Sequence, residues 1–420
     1  MIDEPRHRMT IESTLAQFID AHHVEQIEFL RQIVRVPSDT PPGNNNPPAE
    51  KAAELLTAKG YAVERFAVPE QRVRDYGMQS ITNLIVRQKF GAGTGPTIAL
   101  NAHGDVVPPG EGWSFDPYGG EIKDGRMYAR GVAVSKSDIA SFTYALAALK
   151  AAETAGAQLN GNVELHLTYD EEFGGLLGPG YLLEQKATKP DYVIGASFSY
   201  AIVTAHNGCL QFEVTVHGTA THGSMPETGH DALQAANAIL NAIYGKLPDL
   251  GKTRSKVAGI NTPTMLVGQI VGGTNTNVVP GKVVMKMDRR MIPEENPAEV
   301  EAQVRAMIEG AVAGRTGIRV EIKRILLANA LKPLPGHEKL VAALQKHGER
   351  IMGEPIPAIG VPLYTDARLY GEAGIPVVLY GAGPRTVPES NAKRADENLL
   401  LEDLRKATQV VACAVAELLA

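Results

Sequence analysis

The chain has 420 residues, of which 44% are hydrophobic and 21% charged, and its formal net charge is −6. This length predicts two domains with a sizeable buried core, and the scattered Lys and Arg residues exclude the basic stripe of a nucleic-acid-binding protein. No window reaches the ~18 consecutive apolar residues of a membrane span, so no membrane partner is expected.

The number of cysteines and the first residues of the chain indicate the cellular compartment in which the protein is expected. Cys209 and Cys413 are the only cysteines, which is too few for a disulfide framework or a thiolate metal cluster. The first ten residues mix both signs of charge and lack the apolar run of an export signal. We therefore expect a protein of the reducing cytoplasm.

The N-terminal half alternates helices with strands. Apolar residues at helical spacing predict a helix over residues 11–36, which a Pro- and Gly-rich segment ends, and a second helix over about 49–59. Short apolar or β-branched runs predict strands at 61–68, 83–88, 97–103, 163–170 and 191–197. An Ala-rich helix over 138–155 separates the third and fourth of these strands. This alternation predicts a largely parallel α/β sheet that is covered on both faces.

The pattern changes near Gly208. From there the predicted order is strand, helix, strand, strand, helix and strand, over residues 210–218, 231–245, 265–273, 282–290, 297–312 and 318–326. Such a βαββαβ unit can close as a small sheet with two helices on one face. A helix, a strand at 375–381 and a final helix at 401–419 then resume the α/β pattern. We predict a catalytic domain formed by residues 1–207 and 329–420, interrupted by an inserted α+β domain over 208–328.

One candidate motif follows the third strand. His103 and Asp105 lie two positions apart, so their side chains share one face at the carboxyl edge of the sheet, where open α/β sheets bind ligands. If His103 binds a metal, Asp105 can orient its ring. The alternative is a turn in which Asp105 only caps a loop.

A second candidate motif follows the fourth strand, where Asp170, Glu171 and Glu172 precede Phe173. Three crowded acidic side chains repel one another, and a metal ion would offset that repulsion. One Glu would then be a ligand while its neighbour acts as general base on a bound water. The alternative is a solvated acidic loop before a glycine turn.

Several segments resemble, in the same order, motifs of the M20 peptidase and deacylase family. They are HGDVVPPGEGWSFDPYGGEIKDGRMYARG, TYDEEFGG, GTATHGSMPETGHDA and GGTNTNVVPGKVVMKMDRR. The resemblance covers nearly the whole chain. It implies an aminopeptidase-like α/β/α catalytic domain, with the insert as a lid that usually mediates dimerisation, and hence a homodimer.

The resemblance implies roles for four residues of the catalytic domain. His103 would be a metal ligand that Asp105 orients. Glu171 would be the general base and Glu172 a second metal ligand.

It also implies roles for three residues of the insert. His222 would reach in from the partner subunit and stabilise the tetrahedral oxyanion. Asn277 and Arg290 would hold the substrate, Arg290 by a forked contact to a carboxylate. The alternatives are a loop histidine for His222 and an ordinary strand-end charge for Arg290.

Three departures from the family pattern affect the metal site. Val134 stands where the family has an Asp that bridges two metals. Ala196 and Ser197 stand where it has an acidic ligand, and Lys393 stands where it has a final His. Of five ligand positions, only His103 and Glu172 keep residues that bind metals in the usual way.

This reduced set disfavours a two-metal centre, because a catalytic zinc normally has about three protein ligands. We expect one divalent ion, with Mn²⁺ favoured over Zn²⁺ by oxygen-rich ligation, and a shell completed by Asp105, Asp138, His206 or the substrate. Lys393 is expected to supply positive charge next to the acidic pair and to contribute to substrate binding. The alternative is a solvent-exposed lysine in a charged loop.

The sequence therefore predicts a metal-assisted hydrolase of a C–N bond in a small, carboxylate-bearing substrate, with water activated by Glu171. One alternative is hydrolytic deamination of an aminobenzoate-type aromatic amine, as in the 5-nitroanthranilate aminohydrolase branch of the resemblance. The other is a catalytically inactive, ligand-binding relative.

Overall fold

The computed structural model describes residues 10–420, so the prediction about an export signal concerns residues that lie mostly outside the described part. The helices in that part are α1 Ile11–Val34, α2 Asn46–Ala58, α3 Glu70–Tyr76, α4 Lys136–Thr154, α5 Pro179–Glu184, α6 Ala232–Leu250, α7 Pro297–Val312, α8 His337–Met352, α9 Arg368–Glu372 and α10 Leu401–Leu418. No helix within residues 10–420 combines the length and apolarity that crossing a membrane demands.

The strands of the described part are β1 Val63–Ala67, β2 Thr82–Phe90, β3 Thr97–His103, β4 Glu121–Lys123, β5 Arg126–Tyr128, β6 Gly161–Thr168, β7 Tyr192–Gly195, β8 Ile202–His206, β9 Gly208–His217, β10 Thr221–His222, β11 Thr264–Gly272, β12 Val278–Val279, β13 Lys282–Met291, β14 Arg319–Ala328, β15 Ala358–Val361, β16 Val377–Leu379 and β17 Asn398–Leu400. The chain divides into two compact units.

The larger unit comprises residues 10–204, 333–359 and 365–420. Its central sheet has the order β1-β2-β6-β3-β7-β16-β8-β15. The four middle strands, β6, β3, β7 and β16, pair in parallel, whereas β1 pairs antiparallel with β2, β2 with β6 and β8 with β16. The α/β fold class is confirmed, and the sheet is mixed, with parallel pairing among its middle strands.

Helix α4 fixes the segment that precedes it at the sheet edge. Its alanines leave room for α1 and α10 to lie close, and large side chains such as Phe142 and Tyr144 are fully buried between them. The residue that caps the start of this helix, Ser135, exchanges hydrogen bonds of 3.0 Å with the backbone N–H and carbonyl of His103. The helix start is therefore tied to the end of β3.

The smaller unit comprises residues 205–332 and 360–364. Its four-stranded antiparallel sheet has the order β11-β13-β9-β14, and helices α6 and α7 pack on it. Alternate residues of β9, among them Phe212 and Val214, point into a core shared with both helices. The predicted order of strands and helices is confirmed here. The role of this unit as a lid that mediates dimerisation remains a prediction.

Candidate functional site

His103 ends β3 and is buried at the carboxyl edge of the central sheet. Its Nδ1 lies 3.0 Å from the backbone oxygen of Asp105 and 3.3 Å from the Asp105 carboxylate. These contacts fix the orientation of the ring and direct Nε2 towards Glu171, whose carboxylate oxygen is 3.8 Å away. The structure thus brings together the two motifs that the sequence singled out.

Asp105 also holds the acidic turn in place. Its carboxylate, fully buried, accepts the backbone N–H of Glu171 at 3.2 Å and that of Glu172 at 3.0 Å. Both oxygens of Asp105 are therefore engaged in positioning the Glu171–Phe173 turn. One carboxylate orients both the imidazole and the pair of glutamates.

The glycines after this turn allow it to pack closely. Gly174 and Gly175 have φ values of 110° and 80°, in the left-handed region that side chains rarely adopt. A Cβ on Gly175 would lie 2.4 Å from the Cβ of Asp366. The pair of glycines thus lets Asp366 approach the acidic turn.

The charges at this turn are strongly perturbed. Burial is the main cause that raises the pKa of Glu171 to about 8, while the charge of His103 opposes the rise. Burial works against the imidazolium of His103, but Asp105 and Glu171 outweigh it and raise the pKa of His103 to about 10. Glu171 and His103 therefore stabilise each other's charged forms in a site that disfavours isolated charges.

Lys393 completes the cluster. Its Nζ donates a hydrogen bond of 2.6 Å to the Glu172 carboxylate, whose side chain is 6% exposed. Desolvation disfavours the ammonium, but Glu172 and then Glu171 outweigh it and raise the pKa of Lys393. The Lys393 side chain is half-exposed, so the ammonium is reachable from solvent while it faces a buried carboxylate. Lys393 is thus both exposed and paired with Glu172, and its contribution to the site remains a prediction.

Glu397 anchors the loop that carries Lys393. Its carboxylate pairs with the buried Arg130 at 2.5 Å and accepts the backbone N–H of Ala133 at 3.0 Å. The backbone N–H of Lys393 donates to the same carboxylate at 3.4 Å. This single side chain connects the loop of Lys393 to the segment that precedes Val134.

The sequence reasoning missed Asp366 and Arg368. Asp366 is buried, its Oδ2 has no hydrogen-bond partner in the described part of the chain, and burial raises its pKa to about 6 against the opposing charge of His103. The buried Arg368 donates to the backbone oxygen of Gly174 at 2.7 Å. The only signal was an Asp and an Arg between two short strands, which is too common to single out.

The predicted residues of the insert lie in the smaller unit. His222 is exposed, and its Nδ1 accepts the backbone N–H of Ser224 at 3.2 Å. In the neutral ring this leaves the proton on Nε2. Asn277 is exposed and next to His222, because its backbone oxygen accepts the N–H of Gly223 at 2.7 Å.

Arg290 is half-buried on β13 of the same unit. Its Nε donates to Asp288 at 2.7 Å, and its guanidinium lies 5.2 Å from the centre of the Tyr364 ring. His206 is fully buried with Nδ1 2.9 Å from the backbone oxygen of Asn207. The predicted functions of these residues remain predictions.

Comparison with known proteins decides the family. Residues 99–417 match the peptidase family M20/M25/M40. The chain belongs to this family. It is therefore a hydrolase of the class that acts on amide or peptide bonds, and the resemblance of its sequence motifs to this family is confirmed.

Two curated relatives of the M20 chain cover most of its length. It is 27% identical over 398 residues to a succinyl-diaminopimelate desuccinylase of Parvibaculum lavamentivorans, and the alignment covers 92% of this chain and 93% of that protein. It is 28% identical over 371 residues to an acetylornithine deacetylase of Proteus mirabilis, covering 85% and 88%.

Solved structures share the fold. Human carnosine dipeptidase 1 superposes with a TM-score of 0.75 at 19% identity, covering 97% of this chain and 99% of that one. A dinuclear metal binding peptidase of the M20 family from Bacillus subtilis superposes with a TM-score of 0.66 at 19% identity, covering 95% and 99%. The fold of this chain is that of M20 peptidases.

The donor set of this chain does not fit a metal centre built from protein ligands. Val134 adjoins Ser135, which contacts His103, and Ala196 follows β7 next to β3, so neither position offers a ligand atom at this edge. One oxygen of Glu172 is already paired with Lys393. Among residues 10–420, no group of three or more His, Cys, Asp and Glu side chains is arranged to hold an ion.

Proposed function

We propose that this chain hydrolyses an amide C–N bond in a small, carboxylate-bearing molecule, with Glu171 as the general base. The observation that carries the proposal is the buried Glu171–Phe173 turn, whose backbone N–H groups are held by Asp105 while Glu171 faces His103 at 3.8 Å. A ligand-binding protein has no need of a buried carboxylate with a raised pKa, whereas proton transfer at neutral pH does.

The chemistry at Glu171 is proton transfer. Glu171 takes a proton from water as the water oxygen bonds to the carbonyl carbon, and the carbonyl oxygen becomes an oxyanion. The C–N bond then breaks, and the proton passes from Glu171 to the departing nitrogen. The products are a carboxylic acid and an amine. His103, protonated between Asp105 and Glu171, stabilises the charge that Glu171 carries before it accepts the proton.

His222 supports the tetrahedral intermediate in this proposal. Because its Nδ1 accepts the N–H of Ser224, the neutral ring presents Nε2–H as a donor, which is the polarity an oxyanion requires. On the family resemblance, this donor comes from His222 of the partner subunit.

The proposed substrate carries a carboxylate that Arg290 receives. Asp288 engages Nε of Arg290, which leaves the two terminal nitrogens to meet a carboxylate in a forked contact. Asn277 would bind a neighbouring polar group. The named relatives act on succinyl-diaminopimelate and acetylornithine, which are N-acylated amino acids, so this compound class is the first to assay.

The proposed homodimer is supported by strand β11. It lies at the edge of its four-stranded sheet, and Leu266, Ile270 and Val271 on it are about half exposed or more. An open edge with exposed apolar side chains pairs readily with a second strand. In a dimer, the β11 strands of the two copies would pair edge to edge and cover each other's exposed apolar side chains.

The single Mn²⁺ ion remains a prediction from the family pattern, which the donor set of the described residues disfavours, and no step above depends on it. A cytoplasmic location and hydrolytic deamination of an aminobenzoate likewise remain predictions. The metal question is decided by elemental analysis after loading with Mn²⁺, where two tightly held ions per chain would contradict the prediction of at most one.

The function is tested with a panel of N-succinyl and N-acetyl amino acids, dipeptides and aminobenzoates, with release of acid, amine and ammonia measured by mass spectrometry. We expect cleavage of N-acyl amino acids by the wild type and none by Glu171→Gln purified in parallel. Equal activity in both preparations would refute Glu171 as the general base. Ammonia from an aminobenzoate alone would favour deamination, and tight binding without turnover would favour the inactive relative.

A further inference from the structure

We propose that the Lys393 ammonium is the resident cation of this site and occupies, in charge and position, the place of a metal ion, so that the site is complete without one. This inference deepens the proposed function, because it concerns the same pair of glutamates. It starts from the contact of 2.6 Å between Lys393 Nζ and the buried Glu172 carboxylate.

The donor atoms at this edge of the sheet favour an ammonium over a metal. A divalent ion needs lone pairs, and catalytic zinc sites normally take about three protein ligands. Val134 and Ala196 provide none, and protonated Lys393 has three donors and no lone pair. The remaining carboxylates, however, still require a positive charge, and Lys393 supplies it.

The backbone around Lys393 shows that the contact is built into the fold. Asn391, Lys393 and Asp396 have φ values of 52°, 63° and 56°, in the left-handed region that Lys seldom adopts. Glu397 fixes the loop through its pair with Arg130 and its contact with the Ala133 N–H. The loop is therefore held in a strained conformation that delivers Lys393 to Glu172.

Glu397 positions both Lys393 and the segment that contains Val134. Ala133, which Glu397 holds, directly precedes Val134, so one side chain positions both the segment that lacks a ligand and the loop that carries the ammonium. A cation bound between Val134 and Glu172 would have to share Glu172 with Lys393. Two positive charges at one carboxylate repel each other, so the lysine excludes the ion.

Metal binding itself tests the inference independently of any substrate. The wild type and variants are stripped with a chelator, exposed to excess Mn²⁺ or Zn²⁺, desalted and analysed for metal. We expect the wild type and Lys393→Arg to retain fewer than ~0.1 ion per chain, and Lys393→His combined with Val134→Asp to retain ~1 or more, because the double variant gains two ligands. Lys51→His, at an exposed pair with Glu54, controls for an added surface histidine and should gain none.

Activity adds a second measurement. On the substrate found in the panel, the wild type should be insensitive to chelator, and Lys393→Met should lose at least ~10-fold in rate, whereas Lys393→Arg keeps most of it. A wild type that holds one ion per chain, or that chelator inactivates, overturns the inference. So does a folded double variant that gains no ion. A metal-free wild type that cleaves nothing in the panel would refute the proposed function but support this inference.

Discussion

The buried pair of Arg130 and Glu397 provides the sharpest test of how the site is held. Both side chains are 1% exposed, and the guanidinium also lies 5.2 Å from the ring centre of Trp113, the only tryptophan of the chain. Glu397→Gln removes one charge, keeps the shape, and leaves Arg130 buried without a counter-ion. Breaking a buried pair in this way costs about 3–5 kcal/mol of the free energy of unfolding.

A matched control lies in the same loop. Glu389 pairs with Arg126 at 3.3 Å, but these side chains are 35% and 27% exposed, so Glu389→Gln should cost at most ~1 kcal/mol. Urea unfolding followed by Trp113 fluorescence reports on the unit that contains both pairs. A loss for Glu397→Gln no larger than that for Glu389→Gln would refute the view that Glu397 anchors the loop.

Four further outcomes are expected. Glu171→Gln should lower kcat at least ~10²-fold with an unchanged melting temperature, and normal turnover would require another base. Mixing Glu171→Gln with His222→Ala subunits should restore part of the activity, and no recovery despite proven subunit exchange would place His222 outside the partner's site. Ile270→Lys should convert a dimer to monomers in light scattering, while Val24→Lys, at an exposed position of α1, should not. Asn296→Ala removes the cap of α7 and should cost ~1 kcal/mol in urea unfolding; equal stability would contradict that.

Much of the fold could be predicted because its signals are local. The 3.6-residue spacing of apolar residues predicted α1, which the structure has as Ile11–Val34, and the alternation along β9 predicted a strand with one buried face. The strand order could not be predicted in this way. It depends on which strands meet after the chain has left the sheet and returned, as β16 does when it joins β7.

The candidate site was predictable to the extent that it lies at strand ends. His103 ends β3 and the acidic turn follows β6; these strands are neighbours in the sheet, so their meeting follows from parallel pairing. Asp366 was missed because its approach depends on Gly175 and on a chain segment far away in sequence. The two backbone hydrogen bonds that Asp105 accepts could not be predicted either, since only the folded turn directs both N–H groups to one carboxylate.

The position of β16 has a consequence for synthesis of the chain. Val377 pairs with Val193 on one side, and Leu379 pairs with Val203 on the other, so a middle strand of the sheet is made only after the smaller unit has been translated. Until then the edge of β7 has no partner, and such edges are prone to aggregate. Long-range pairing also slows folding. A nascent chain that stalls before Val377 would therefore depend on chaperones to protect that edge.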